Sequence, residues 1–325
     1  MKNSLLAKTV IASLLVGTPL IAAAKPKLQL TGDITVSGLS SGGYMAVQFH
    51  LAYSDKVTGA AIIAGGPLYC AQNSLATAFA NCMGKPEASP DLTAIEQYLT
   101  TLEQQQLAPR KNLQDDKVWI LHGTQDTTVH PNVGKALYNQ YLQWLPATSI
   151  KMVSDKPFAH HFPTDNTAGT ACDVSEPPFI ANCSYDAAGA LLSHLLGKVN
   201  AKAANTTGSM RQVTQTHAGT HLAETGFAYI PVQCAAGEPC ALHISFHGCK
   251  QHAGVVDDAF ITGTGLNHYA DTNNLVILYP QAVASAFNPH GCWDWWGYST
   301  EHYITRQAPQ LQAVMLLAEQ LSSNN

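Results

Sequence analysis

Short, continuous apolar runs alternate along this chain with stretches of helical composition, the pattern of parallel strands buried on both faces and covered by helices. Ile34-Thr35-Val36 is a β-branched run that reads as a strand, and Tyr44 to Ala52 reads as a helix packed behind it. Ala60-Ala61-Ile62-Ile63-Ala64 and Lys117-Val118-Trp119-Ile120-Leu121 read as further strands. Between them, Leu92 to Gln106 puts Ile95, Leu99 and Leu102 on one helical face. A helix is expected from about Pro131, then a strand over Ser149 to Val153. Gly226 to Val232, Ala241 to Phe246 and Leu275 to Pro280 read as late strands, and Tyr303 to Leu321 as a long closing helix. Two stretches break the pattern. Residues 67 to 92 hold Cys70, Cys82 and three prolines, and read as a disulfide-stapled excursion; residues 199 to 220 are polar and rich in Ala, Asn and Thr.

The chain opens with Lys2 and Lys8, an apolar run from Thr9 to Ile21, and Ala22-Ala23-Ala24, the form of a cleaved export signal. Residues 1 to 24 are therefore set apart as a signal peptide, too short in its apolar part to span a bilayer at roughly 20 residues. Eight cysteines agree with export to an oxidising compartment, periplasm or medium. They fall as local couples, Cys70 with Cys82, Cys172 with Cys183 and Cys234 with Cys240, with Cys249 and Cys292 left over. Pairing neighbours is the expectation, although sequence alone permits about 105 connectivities. No Cys-x-x-Cys or His-Glu-x-x-His occurs, so no metal site is expected. Charged residues are few, at 12%, with a formal net charge of -5, which gives no basic stripe for nucleic acid. No later segment reads as a membrane span, and about 300 mature residues suffice for one large core.

The chemistry begins at Gly38-Leu39-Ser40-Ser41-Gly42-Gly43. Gly-x-Ser-x-Gly between a strand and a helix is the nucleophile turn of serine hydrolases, and its glycines let strand and helix approach closely. Asp126 follows the strand that ends at Leu121, where a catalytic carboxylate would sit; the competing reading makes it a cap for the helix near Pro131. His160 and His161 follow the next strand. Neighbouring side chains diverge, so only one of the two can reach Ser40.

Strand order is unusual. No more than about a dozen mature residues precede the nucleophile strand, too few for the leading strands of an α/β-hydrolase. The missing part lies at the other end, where the strand over Ala241 to Phe246 runs into His247-Gly248-Cys249, a junction like that of an oxyanion loop. Moved to the front, residues 218 to 325 complete the sheet. The expected fold is a circularly permuted α/β-hydrolase with a mostly parallel, helix-flanked sheet, residues 25 to 325 forming one catalytic domain with the junction near 199 to 220. Two separate domains, 25 to 198 and 218 to 325, are the competing arrangement.

Gly-Leu-Ser-Ser-Gly-Gly-Tyr-Met from Gly38, His-Gly-Cys-Lys-Gln at 247 to 251, and Cys-Trp-Asp-Trp-Trp-Gly at 292 to 297 together resemble extracellular poly(3-hydroxybutyrate) depolymerases of the circularly permuted type. The resemblance covers nearly the whole mature chain. It implies Ser40 as nucleophile, Asp126 as its remote acid, and His160 as base, since the family histidine precedes a proline by three residues; His161 is the alternative. It further implies backbone N–H donors at Ser41 and Cys249 for the oxyanion, leaving the Cys249 sulfur for a bond to Cys292. A tryptophan of the 292 to 297 loop would line the ester subsite, and Trp295 is chosen; Tyr44 and Tyr298 would flank the groove or belong to the core. The implied reaction needs no cofactor. The implied substrate is insoluble or oligomeric polyester, cleaved by a monomer that involves neither nucleic acid nor membrane. No separate polymer-binding domain is expected, because the chain ends shortly after its last helix. The rival readings are a feruloyl or acetyl esterase of plant polysaccharide, which would want a sugar-lined cleft, and an inactive secreted binding protein.

Overall fold

The computed structural model describes residues 27–84, 90–103, 106–215 and 219–323. The expected signal peptide, 1 to 24, lies outside these residues. Eleven strands are found among them: β1 (Gln29–Leu39), β2 (Val57–Ile63), β3 (Lys117–Leu121), β4 (Ile150–Val153), β5 (Phe162–Thr164), β6 (Thr170–Ala171), β7 (Ile180–Asn182), β8 (Ser209–Thr214), β9 (Thr225–Ile230), β10 (Pro239–Phe246) and β11 (Leu275–Tyr279). Eight form one sheet in the order β4-β3-β2-β1-β10-β11-β9-β8. The six from β4 to β11 are parallel, and β9 and β8 complete the edge antiparallel.

The permutation is written in this order. Read from β8 through β11 and then from β1 to β4, the strand ending at the 247–249 loop is the third and the strand ending at Ser40 is the fifth. The third strand is where α/β-hydrolases carry their oxyanion loop. β1 joins the two parts of the chain directly, pairing with β2 on one side and β10 on the other, so that Gly38 stands in register with both Ile62 and Phe246.

Successive residues of the central strands feed opposite faces. Val36, Ala60, Ile62, Val118, Ile244 and Val276 join a core with α1 (Ser41–Ala52) and the last helix, Pro309–Ser323. Leu39, Ala61, Ile63, Trp119 and Ile277 join a second core with the helices Ala187–Leu196 and Leu266–Thr272. Every residue of α1 is buried, which explains why its sequence shows little amphipathic pattern. On the second face a polar ladder crosses the centre of the sheet: His243 bonds Thr35 Oγ1 through Nδ1 and Ser37 Oγ through Nε2, both at 2.8 Å.

Two expectations need correction. The stretch 199 to 220, read as a polar connection, contributes strand β8; its sequence Ser-Met-Arg-Gln-Val-Thr lacks alternation because it is an exposed edge with little apolar surface to bury. The closing helix starts at Pro309, not Tyr303, consistent with proline's fit to the first turn of a helix. The four disulfides are Cys70–Cys82, Cys172–Cys183, Cys234–Cys240 and Cys249–Cys292, as the spacing and the resemblance led one to expect. Among the described residues no helix is long and apolar enough to cross a membrane.

Candidate active site

Ser40 sits at the turn from β1 into α1 with φ 58° and ψ -121°, a conformation that L residues rarely hold. Its N–H donates to Ile63 O at 2.9 Å, and its carbonyl accepts from Tyr44 N at 3.0 Å. Two glycines make the turn possible. A Cβ on Gly38 would lie 2.0 Å from Gly42 O, and one on Gly42 would lie 2.2 Å from Phe246 O. Strand, helix and the end of β10 therefore touch backbone to backbone, and only glycine leaves room.

His160 Nδ1 lies 2.8 Å from Asp126 Oδ2, and both residues are buried. The other carboxylate oxygen, Oδ1, accepts the N–H groups of Thr128 and Val129, each at 2.9 Å. Burial alone would raise the Asp126 carboxyl; the charge and hydrogen bond of His160, with His122 and the Val129 N–H, outweigh it and hold the group below the usual carboxylate range. The capping alternative fails, because the helix Pro131–Tyr141 is capped by His130, whose side chain accepts from Asn132 N. His161 turns the other way. Its Nε2 bonds Cys172 O at 2.7 Å and its ring lies beside the Cys172–Cys183 bridge, while burial lowers its proton affinity. The cluster of His161, Cys172 and Cys183 has the spacing of metal ligands, but its sulfurs are joined to each other.

Ser40 and His160 open into one cavity of about 480 Å³, which Gly248, Cys249 and Gln251 also line. A Cβ on Gly248 would come within 3.5 Å of Ser40 Cβ, so the 247–249 loop lies against Ser40. His247 Nε2 accepts the Ala282 N–H at 3.0 Å, which leaves the proton of the neutral ring on Nδ1 to donate to Gly248 O at 2.7 Å. Complete burial depresses the His247 pKa to about 3, so the ring stays neutral. The Cys249–Cys292 bridge ties this loop to the tryptophan loop.

The three tryptophans separate. Trp293 is fully buried, its Nε1–H donating to His247 O at 3.0 Å. Trp295 and Trp296 line the cavity, and Trp295 stacks on Tyr44 with ring centroids 4.5 Å apart. Tyr44 is a buried support, its hydroxyl donating to Cys82 O at 2.5 Å, and Tyr298 is tied to Cys292 O and Asn288. The loop is shaped by Asp294, which accepts the N–H groups of Gly297, Tyr298 and Ser299 and the Ser299 hydroxyl. Burial raises the Asp294 carboxyl, and these bonds oppose the rise.

Several residues escaped the sequence reading. Gln251, Phe179, Phe287 and, on α2 (Leu75–Asn81), Leu75 and Phe79 all face the cavity. Only Gln251 carried a signal, as the last residue of His-Gly-Cys-Lys-Gln. The apolar side chains carried none: Phe179 and Phe287 lie outside helices and strands, and the short helix α2 leaves Leu75 and Phe79 exposed, so no periodic pattern betrays them.

A permuted α/β-hydrolase sheet thus brings a strained serine, a carboxylate-paired histidine and the loop that ends its third strand to one cavity. Residues 226–315 match the family model described as Esterase PHB depolymerase. The chain is 42% identical over 296 residues to the poly(3-hydroxybutyrate) depolymerase of Delftia acidovorans, covering 89% of this chain and 59% of that protein's length. It is 37% identical over 309 residues to the polyhydroxybutyrate depolymerase of Talaromyces funiculosus, covering 90% of each. The crystal structure of PHB depolymerase from Penicillium funiculosum superposes with a TM-score of 0.86 at 34% identity, over 92% of this chain and 98% of that one. A serine-to-alanine variant of PHB depolymerase complexed with an R3HB trimer matches with the same values. The chain belongs to the poly(3-hydroxybutyrate) depolymerase family of carboxylic ester hydrolases.

Proposed function

We propose that this chain is a secreted serine esterase that hydrolyses poly(3-hydroxybutyrate) or its oligomers through an acyl-enzyme on Ser40. The observation that carries the reading is the 2.8 Å pairing of His160 with Asp126 at a histidine that lines the same cavity as Ser40. His160 takes the Ser40 proton through Nε2, the nitrogen left free by Asp126, and the serine oxygen attacks an ester carbonyl. The Ser41 and Cys249 N–H groups hold the oxyanion, each contributing about 2.7 to 4 kcal/mol to transition-state stabilisation. His160 then returns the proton to the leaving alcohol, and water activated by the same ring releases a hydroxy acid or a shorter chain.

The cavity wall suits an apolar ester chain. Leu39, Ala78, Met83, Phe179 and Trp295 line the cavity together with Ser40, and among the described residues no carboxylate does. At its mouth stand Phe287, Phe79 and Leu75, 81%, 59% and 49% exposed, an apolar rim suited to a solid polyester. A sugar-lined cleft, wanted by the polysaccharide-esterase reading, would present more hydrogen-bonding groups. Four disulfides fit an exported enzyme.

The test is incubation of the protein and its Ser40→Ala variant with poly(3-hydroxybutyrate) particles, following turbidity and released acid. Clearing by the parent alone is expected. Serine-dependent cleavage of soluble esters without clearing would transfer the reading to another esterase, and clearing by Ser40→Ala would remove Ser40 as nucleophile.

A further inference from the structure

We infer that Gln251 is a positioning residue that decides which backbone N–H of the 247–249 loop faces the oxyanion, an inference that rests on the proposed acyl-enzyme chemistry. The loop offers two adjacent N–H groups near Ser40, those of Gly248 and Cys249. Gln251 Oε1 accepts the first at 2.7 Å. The next N–H along, that of Lys250, donates to His290 O at 2.7 Å. Among the described residues the Cys249 N–H makes no hydrogen bond, and Cys249 lines the cavity.

The direction of that free N–H follows from its own peptide. The carbonyl of Gly248 and the N–H of Cys249 belong to one trans unit and point oppositely. His247 draws the carbonyl to one side through Nδ1–H, so the N–H is turned to the other. The preceding peptide is held from both sides, Gln251 accepting its Gly248 N–H and Trp293 donating to its His247 carbonyl. With His247 these side chains remove both rotations open to the loop, and Gln251 is the one that occupies the competing N–H.

Gln251 is itself anchored. It is 1% exposed, and its Nε2 donates to Pro178 O at 2.9 Å and Phe179 O at 3.2 Å. One N–H donor facing Oε1 and two carbonyls facing Nε2 fix the amide orientation without ambiguity. The Pro178-Phe179 segment lies within the loop closed by Cys172–Cys183, and Ser175 of that loop donates to His160 O at 3.0 Å. Gln251 thus links the oxyanion loop to the segment that steadies the base, two parts of the site that are far apart in sequence.

The experiment compares Gln251→Met and Gln251→Glu with the parent and with Ser40→Ala on p-nitrophenyl butyrate, and measures inhibition by an aliphatic trifluoromethyl ketone, whose serine adduct places an oxyanion at the same donors. For Gln251→Met, kcat should fall about 10- to 100-fold, less than the loss of a whole donor, with KM changed less than about twofold. The inhibition constant for the ketone should rise by the same factor. Gln251→Glu keeps an acceptor for Gly248 and, with its carboxyl protonated, a donor for the Pro178 or Phe179 carbonyl, so it should lose less in both quantities at acidic pH. A Met variant with parental kcat, or a fall in kcat without a matching loss of ketone affinity, overturns the inference. Should Gln251→Met fail to fold, Gln251→Glu decides: kcat and ketone affinity falling together support the assignment, and any other pattern overturns it. Hydrolysis by Ser40→Ala would instead defeat the underlying acyl-enzyme reading, whatever the Gln251 variants do.

Discussion

The Ser40 turn and the 247–249 loop pack so closely that a Cβ on Gly248 would lie 3.5 Å from Ser40 Cβ, yet the two are held by different forces. The turn is a backbone construction. Ser40 is fixed by main-chain bonds to Ile63 and Tyr44 and by two glycines that let main chains meet. The loop is held by side chains: His247 on the Gly248 carbonyl, Gln251 on the Gly248 N–H, Trp293 on the His247 carbonyl, and a disulfide at Cys249. A backbone construction needs small residues at set spacings and tolerates no substitution there. A side-chain construction tolerates more, but it depends on the protonation of its parts.

The largest expected effect lies in the third component, which serves both regions. Asp126→Asn should leave the fold intact and lower kcat about 10⁴-fold, because the amide no longer fixes the tautomer of His160. Steady-state kinetics on a soluble ester, with circular dichroism as the check of fold, would measure it; a loss under tenfold would detach Asp126 from the site.

Glycine substitutions separate the two regions most sharply. Gly42→Ala puts a methyl 2.2 Å from Phe246 O and should cost at least about 3 kcal/mol in urea unfolding. In Gly248→Ala the nearest atom is Gln251 Oε1 at 3.3 Å, so the protein should fold with a loss nearer 1 kcal/mol while turnover drops about tenfold or more. Equal stability losses in the two variants would erase the distinction.

Acid should act on the β10 side. Burial depresses the pKa of both His243 and His247 to about 3, whereas in the unfolded chain each titrates near 6.5. Between these values the unfolded state binds the extra proton. Stability is therefore fully present above about pH 6.5 and declines as pH falls toward 3, by up to about 1.4 kcal/mol per pH unit for each histidine. Asp126, held low, adds its own loss below about pH 4. A urea midpoint constant from pH 6.5 to 4 would contradict this. The smallest effect is expected at the stacked pair: Trp295→Leu should raise KM for a hydroxybutyrate oligomer by about 2- to 10-fold, with kcat on a small soluble ester nearly unchanged.

The contrast between the two regions also explains what could be read in advance. Gly38, Ser40 and Gly42 were legible because a strained strand-to-helix turn permits few residue types at each place. The buried parallel strands were legible because residues enclosed on both faces are continuously apolar. Asp126 and His160 could be named as acid and base candidates from their positions after strands, but the choice between His160 and His161 needed either the family resemblance or the Asp126 contact. Gln251 was visible as a letter in a motif and invisible as a clamp, since nothing in its sequence neighbourhood announces bonds to Pro178 and Phe179.

Local composition and spacing were thus enough for the elbow and the core strands, and they favoured the permuted order and the pairing of neighbouring cysteines over the alternatives still open. Only the tertiary structure decided that His161 turns to the Cys172 carbonyl, that Trp293 is core while Trp295 and Trp296 face the cavity, and that β8 is a strand. The same holds for the apolar rim at Phe287 and Phe79. Each of these depends on which distant segment supplies a hydrogen-bond partner or a wall, and that is fixed when the folded sheet brings residues 38 to 42, 175 to 179 and 247 to 251 together.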